Sequence, residues 1–144
     1  MALGYCCAPA ALAAACWING ASMVTTKAVG DGGEDRALAY LLRAGLKLVE
    51  RNYRVAGGPR VRGGEIDLVL RDRDGTLVFV EVRTRATRSH GGAAATVSGV
   101  KQQRIVRAAR HYLMRFATPP PCRFDVVAIE GEHIAWLRAA FDAS

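Results

Sequence analysis

A pair of alternating segments constrains this chain more than any other feature. Residues 64–71 and 76–85 read as two strands with an apolar residue at every second position from 66 to 70 and from 78 to 82, and the turn between them ends in Gly75. A three-residue loop with that glycine in the left-handed conformation pairs Asp72 with Thr76, so that paired residue numbers sum to 148. One face of the predicted hairpin then carries only apolar pairs, which are Ile66–Val82, Leu68–Val80 and Leu70–Val78. A slip of one residue would break up these pairs, so packing selects this register.

The opposite face of the predicted hairpin brings acidic side chains together. In this register Asp67 lies across from Glu81, and Glu65 lies across from Arg83. Directly opposed side chains have Cβ atoms about 5 Å apart, and like charges at that distance destabilise a sheet unless something compensates them. Mg²⁺ or Mn²⁺ would compensate them, because these cations prefer oxygen ligands such as carboxylates. The alternative is that one acid pairs with a nearby arginine and the face is simply solvated.

The segments on either side of the hairpin predict an α/β fold. A helix is predicted from Asp31 to Gly45, because Asp31 and Glu34 are typical of a helix N-terminus and Gly45 of a helix end. A strand over residues 46–55 follows it. After the hairpin comes the clearest helix, with an apolar stripe made of Val97, Ile105, Ala108, Ala109, Tyr112, Leu113 and Phe116. A strand over residues 123–130 and an edge strand over 133–138 follow. We therefore predict a mixed β-sheet of four to five strands flanked by helices, in the order αβββαβ.

The stretch between Glu81 and Asp125 contains no acidic residue. Its basic residues are Arg83, Arg85, Arg88, Lys101, Arg104, Arg107, Arg110, Arg115 and Arg123. Together with the net charge of +7, this run favours an anionic partner, with nucleic acid ahead of a membrane surface or an acidic protein. An ordinary solvated helix face is the alternative, although such faces usually mix both signs of charge. We predict that DNA is the nucleic acid bound. The residues predicted to contact it are Arg85, Arg88, Lys101, Arg104 and Arg107.

The first 29 residues differ from the rest of the chain, since they hold no acidic residue and only one basic residue. The apolar stretch 8–18 is too short to span a bilayer and lacks the basic flank of a signal peptide, so no membrane association is predicted. We predict an N-terminal extension, either poorly ordered or upstream of a true start at Met23, and one domain over residues 30–144. The four cysteines form no C-x-x-C pair, which favours a reducing, cytoplasmic setting over a zinc site or a disulfide framework.

Several blocks of the sequence resemble the YraN-like uncharacterised bacterial family. The blocks are Gly33-Glu34-x-x-Ala37, Gly64-Glu65-Ile66-Asp67-Leu68-Val69, Val78-Phe79-Val80-Glu81-Val82-Arg83-Thr84-Arg85, Lys101 and Arg123-Phe124-Asp125. The resemblance covers the chain from about residue 30 to residue 135. It implies a restriction-endonuclease-like core, distantly similar to archaeal Holliday junction resolvases. It also implies an Asp, Glu-x-Lys metal motif at Asp67, Glu81 and Arg83, with Glu34 as a helix-borne addition.

Arg83 departs from that motif, because nucleases of this kind usually carry lysine at its position. Arginine stays charged, so Arg83 cannot act as a general base, although it can hold a phosphate or stabilise charge in the transition state. If the chain hydrolyses a phosphodiester, a metal-bound water must therefore supply the nucleophile.

The leading predicted function is a Mg²⁺- or Mn²⁺-dependent endonuclease acting on DNA, with branched or damaged DNA as candidate substrates. Asp67, Glu81 and the carbonyl of Val82 would hold the metal, and Glu65 or Glu34 would act in an outer shell or hold a second metal. The alternatives are an inactive nucleic-acid-binding module that keeps the nuclease fold, and a scaffold that binds an acidic protein. Resolution of DNA junctions would favour a symmetric homodimer, but no interface can be identified from the sequence.

Overall fold

In the parts of the chain that the structure describes, five strands form one mixed sheet between two helices. The computed structural model describes residues 26–85 and 97–143, with side chains from residue 32 onward. The elements are α1 (Thr26–Arg43), β1 (Lys47–Val55), β2 (Gly64–Arg71), β3 (Leu77–Arg85), α2 (Gly99–Leu113), β4 (Cys122–Glu130) and β5 (His133–Phe141). The strands lie side by side in chain order, so the predicted α/β fold and the predicted edge strand are confirmed. The predicted N-terminal extension falls mostly outside the described residues.

The sheet is mixed because one helix connects two of its neighbouring strands. Strands β3 and β4 pair in parallel, whereas the pairs β1–β2, β2–β3 and β4–β5 are antiparallel. Helix α2 provides the crossover that a parallel pair requires. It packs on one face of the sheet through Ile105, Ala108 and Tyr112, and α1 packs on the other through Ala37 and Leu41. The central strands are thus covered on both faces.

The apolar stripe predicted for α2 is confirmed. Ile105, Ala108, Ala109 and Tyr112 are buried, and Ser98 caps the helix by accepting a 3.4 Å hydrogen bond from the Lys101 backbone N–H.

The predicted start of α1 is wrong. The helix begins at Thr26 rather than at Asp31, so Asp31 lies inside it. Aspartate is favoured at helix starts but also occurs within helices, and the residue type alone does not define the boundary. The predicted end of the helix is confirmed, since Gly45 adopts a φ of +99° just after Arg43.

A buried aspartate ties β4, β5 and the β2–β3 turn together. The side chain of Asp125 is fully buried and accepts hydrogen bonds from Arg123 Nε (3.1 Å), Trp136 Nε1 (3.0 Å) and Ala139 N (2.9 Å). Arg123 also forms a 2.8 Å ion pair with Asp72 in the turn. The Arg123-Phe124-Asp125 block therefore has a structural role, because a buried carboxylate needs this full set of partners.

Close packing of α2 on β2 generates a prediction about Gly64. A Cβ atom at this position would lie 2.4 Å from the Arg104 carbonyl oxygen and 3.0 Å from Ala108 Cβ. We expect Gly64→Ala to lower the free energy of unfolding by about 1–3 kcal/mol, since the helix must move away from the strand. Urea denaturation measures this loss. The control is Gly99→Ala at the start of α2, where a Cβ has no neighbour within 4 Å, and an equal loss in both variants would contradict the prediction.

Candidate functional site

The β2–β3 hairpin is paired as predicted only in the half that is nearer its turn. The ladder runs from Arg71–Leu77 to Leu68–Val80 with the predicted register. Gly75 has a φ of +91°, and Asp72 N–H donates a 2.9 Å hydrogen bond to the Thr76 carbonyl. Beyond Leu68 the two strands separate, and the backbone pairs expected at Asp67–Glu81, Ile66–Val82 and Glu65–Arg83 are not formed.

The separation begins where an aspartate side chain replaces a backbone partner. In a continued ladder, the Val82 N–H would face Ile66. Instead, the carboxylate of Asp67 accepts a 2.8 Å hydrogen bond from that N–H. A side-chain oxygen thus satisfies the donor that the missing pair would leave exposed, and the Asp67 carboxylate is held between the two strands.

The side-chain alternation of β2 also changes at Asp67. Ile66 packs with Phe79 on the α2 side of the sheet, whereas Leu68 and Leu70 pack on the α1 side. The prediction that Ile66 shares a face with Leu68 is therefore wrong. On the neighbouring strand β1, Asn52 has a φ of +52°, so both strands are irregular at the level where β2 leaves β3.

The acidic pair at the split has a lysine beside it. The Glu81 side chain comes within hydrogen-bonding reach of Asp67, as the sequence predicts, although it is only 9% exposed. Lys101 Nζ on α2 lies 3.2 Å from Glu81 Oε2, an ion-pair contact outside the preferred hydrogen-bond directions. The Lys101 ammonium group thus interacts with the carboxyl groups of both Glu81 and Asp67.

Burial and electrostatic repulsion disfavour the ionisation of both carboxyl groups of this pair at the same time. Burial, and then the nearby Asp67 carboxylate, raise the pKa of Glu81 to about 7, against the opposing effect of Lys101. Burial also raises the pKa of Asp67, while the Val82 N–H and Lys101 act in the other direction. The pair therefore takes up a proton as the pH falls through about 7.

The contact between Lys101 and Glu81 was not predicted, because Lys101 was counted only among the residues expected to contact nucleic acid. Lys101, Ile105 and Ala108 follow the i, i+4, i+7 spacing of one helix face, so Lys101 points toward the sheet. That spacing was the available signal. A lysine on an otherwise apolar face predicts a buried acidic partner.

The other predicted acidic residues have separate partners. Glu65 forms a 2.7 Å ion pair with Arg54 on β1, although its charge still raises the pKa of Asp67. Glu34 on α1 is mostly buried, and its carboxylate lies 3.8 Å from Arg51 Nη2. Their assignment to an outer shell or a second metal stays a prediction.

The predicted basic residues fall into distinct groups. Arg83 and Arg85 follow Glu81 on β3 and are partly buried, and each has a further interaction partner. Arg88 lies outside the described residues. Of the longer basic run, Arg115 pairs with Glu50 at 2.9 Å, and Arg123 is committed to Asp72 and Asp125. These last two charges maintain the fold.

Metal binding at this site would rest on two carboxylates. Within residues 26–85 and 97–143, no group of three or more His, Cys, Asp or Glu side chains converges on one point. A cation at Asp67 and Glu81 would therefore complete its shell with carbonyl, water or phosphate oxygens. Mg²⁺ commonly binds proteins in this manner, through one or two carboxylates.

Fold and site together define a class of protein. It is an α/β protein with a five-stranded mixed sheet, two helices and a buried carboxylate pair at a strand separation. This architecture is consistent with a restriction-endonuclease-like core. In the part of the chain that the structure describes, no helix is long and apolar enough to cross a membrane.

The sequence profile of the uncharacterised protein family UPF0102 matches residues 33–129, and the chain belongs to this family. A UPF0102 protein of Methylibium petroleiphilum is 99% identical over 122 residues, which are 85% of this chain and 100% of that protein. A UPF0102 protein of Acidovorax sp. is 60% identical and covers 88% of this chain and 95% of its own length. A relative in Polaromonas sp. is 61% identical, with 84% and 85% covered.

The predicted resemblance to the YraN-like family is confirmed, and the family's description names no activity. Among solved structures, the crystal structure of SSO0001 aligns with 82% of this chain and 54% of that chain, at 18% identity and a TM-score of 0.37. So distant a likeness says nothing about function.

The raised pKa of Glu81 generates a prediction about stability in the absence of metal. A carboxyl group whose pKa rises from 4.5 to about 7 on folding favours the folded state below pH 4.5, and this contribution is lost as the pH rises through 7. Glu81→Gln removes the charge, so we expect it to raise the free energy of unfolding at pH 8 by on the order of 2 kcal/mol. At pH 5 it should change little.

Urea denaturation in EDTA at both pH values measures the effect. Glu132→Gln is the control, since this exposed carboxylate in the β4–β5 turn should leave the pH profile unchanged. A loss of stability in Glu81→Gln at pH 8 would contradict the prediction.

Proposed function

We propose that this protein is a divalent-metal-dependent endonuclease that cleaves DNA phosphodiesters, with branched or damaged DNA as candidate substrates. The observation that carries the proposal is the buried pair of Asp67 and Glu81 at the end of the β2–β3 ladder. Folding brings the two carboxyl groups together although burial raises both pKa values and the nearby Asp67 carboxylate raises that of Glu81 further. Perturbed titratable groups of this kind are typical of functional sites.

The donors around the pair fit Mg²⁺ or Mn²⁺. Both carboxylates are hard oxygen ligands, and a divalent charge would offset the repulsion between them. A third oxygen is available from Val82. In an extended strand the N–H and C=O of one residue point to the same neighbouring strand, so the Val82 carbonyl faces the Asp67 side, as its N–H does. This agrees with the ligand set predicted as Asp67, Glu81 and Val82.

The residues of the chain would divide the work of hydrolysis. A bound Mg²⁺ or Mn²⁺ would polarise the phosphoryl oxygen and lower the pKa of a coordinated water. Asp67 and Glu81 would position the ion, while the Lys101 ammonium next to Glu81 would attract the phosphate and balance its charge. Arg83 lies two residues after Glu81 and would hold the same phosphate as a permanent cation.

The alternative is a nucleic-acid-binding module that has lost catalysis. The arginine at position 83 favours it, because arginine cannot take the proton-transfer role open to lysine in the usual motif. Such a module would bind DNA without metal and would cleave nothing. The metal requirement, the DNA partner and the homodimer predicted from the sequence all remain part of the proposal or of this alternative.

Metal binding should be linked to proton release. Because the pair takes up a proton as the pH falls through about 7, we expect the affinity for Mn²⁺ to rise up to about tenfold per pH unit between pH 6 and pH 7. Calorimetric titration at several pH values measures this dependence. Asp67→Asn should abolish binding, and Asp74→Asn in the exposed turn is the control. Equal binding by Asp67→Asn and the wild type would sink the assigned ligand set.

Cleavage should require the same residues. We expect the wild-type protein with Mn²⁺ to cut at least one of duplex, single-stranded or four-way-junction DNA. Asp67→Asn and Glu81→Gln should lose about a hundredfold or more in rate, since a correctly held cation contributes several kcal/mol to transition-state stabilisation. Glu132→Gln serves as the control. Cleavage of none of these DNAs, or undiminished cleavage by Asp67→Asn, would defeat the proposal, and DNA binding without cleavage would favour the non-catalytic module.

A further inference from the structure

A basic groove runs between the β1–β2 loop and α2, outside the carboxylate pair. It encloses about 350 Å³. Four arginines and two exposed valines line most of it, which are Arg60, Arg62, Arg104, Arg107, Val61 and Val100. The two helix arginines were among the predicted nucleic-acid contacts, and the two loop arginines were not. The loop arginines and the helix arginines are more than forty residues apart in the sequence, and the fold brings them together.

The charge of this groove is uncompensated. No acidic residue lines it, and none of its four arginines forms an ion pair within the described parts of the chain. Elsewhere in the same parts, six arginines do form ion pairs, which are Arg36, Arg51, Arg54, Arg115, Arg123 and Arg138. Four unpaired guanidinium groups around one concavity raise the local concentration of anions.

The loop that carries two of these arginines is tightly built. Gly58 and Val61 exchange backbone hydrogen bonds of 2.9 and 3.2 Å across the turn. Gly57 and Gly63 pack so closely behind it that a Cβ on Gly57 would lie 2.7 Å from the Gly63 nitrogen. The backbone is therefore held in one shape before any ligand arrives, which lowers the entropic cost of binding.

Helix α2 carries residues of both the groove and the proposed catalytic site. Lys101 contacts Glu81, and Arg104 and Arg107 follow at successive turns on the adjacent side of the helix. The three residues span about 9 Å of helix axis. One DNA strand carries a phosphate every ~3.4 Å along its axis, so this row matches about two or three consecutive phosphates. Gly64 holds the helix there, because only a glycine allows the close approach of the Arg104 carbonyl.

We infer that this groove binds the sugar–phosphate backbone of the DNA strand that flanks the phosphodiester at Asp67 and Glu81. Arginine suits the task because its planar fork can donate two hydrogen bonds to one phosphate. The exposed Val61 and Val100 offer apolar surface to the deoxyribose between phosphates. The inference rests on the proposed function for the identity of the ligand, but backbone binding needs no metal and no cleavage.

Fluorescence anisotropy with a labelled DNA duplex tests the inference on the full chain in EDTA. Arg60→Ala/Arg62→Ala should weaken binding about tenfold or more at moderate salt and reduce the slope of log affinity against log salt by about 2. Arg60→Lys/Arg62→Lys should retain most of the binding. Arg104→Ala, on the opposite wall, should weaken it independently of the loop. The matched control is Arg43→Ala/Arg73→Ala, which removes the same charge near the other end of β2 and should cost less than about threefold.

The outcomes separate this inference from the proposed activity. Equal losses in the groove variant and the matched control would overturn it, since they would indicate a general effect of charge. Wild-type binding by the groove variant would also overturn it, even if the protein cleaves DNA. Retention on vesicles with anionic lipid, with no affinity for DNA, would overturn it in favour of a membrane surface. Selective loss in the groove variant without any cleavage by the wild type would support the groove and refute only the nuclease activity.

Discussion

The hydrogen bond from the Val82 backbone to the Asp67 carboxylate organises the site proposed for this protein. It takes the place of a rung in the β2–β3 ladder, so the two strands separate without leaving a buried N–H unsatisfied. The same bond holds the carboxylate of Asp67 toward Glu81. The Asp67 side chain thus replaces a backbone acceptor, and this one replacement both separates β2 from β3 and places an acidic side chain between them.

The acidic pair is a compromise between packing and charge. Burial under α2 raises the pKa of Glu81, and Lys101 offsets only part of that cost. A fold selected for stability alone would place apolar residues here. Buried charges offset their desolvation cost only when all of them are paired and hydrogen-bonded. Asp125 shows the contrast, since its fully buried carboxylate has Arg123, Trp136 and the Ala139 N–H as partners. The pairing of Asp67 and Glu81 is less complete than that of Asp125, which is consistent with the cation site proposed for them.

Helix α2 connects the two features on which function is proposed to depend. Its inward face carries Ile105 and Ala108 into the core and Lys101 to Glu81. Its flank carries Arg104 and Arg107 to the groove beside the β1–β2 loop. Since Gly64 allows the helix to press directly on β2, both sets of side chains have a fixed relation to the strand that bears Asp67. Packing of the core thus also sets the distance between the basic residues of α2 and Asp67.

Local patterns in the sequence determined the elements and the register near the β2–β3 turn, and they indicated that Asp67 and Glu81 would lie close together. These depend on alternation, on helical spacing and on the conformation of Gly75, all of which act between near neighbours in the chain. Tertiary structure alone decided that the ladder ends at Leu68–Val80, that Arg123 serves Asp72 and Asp125, and that Arg60 and Arg62 meet α2. Each of these depends on the packing of segments far apart in sequence. A repeating pattern cannot encode such contacts, because it specifies which face of an element is apolar but not which distant residue will lie against it.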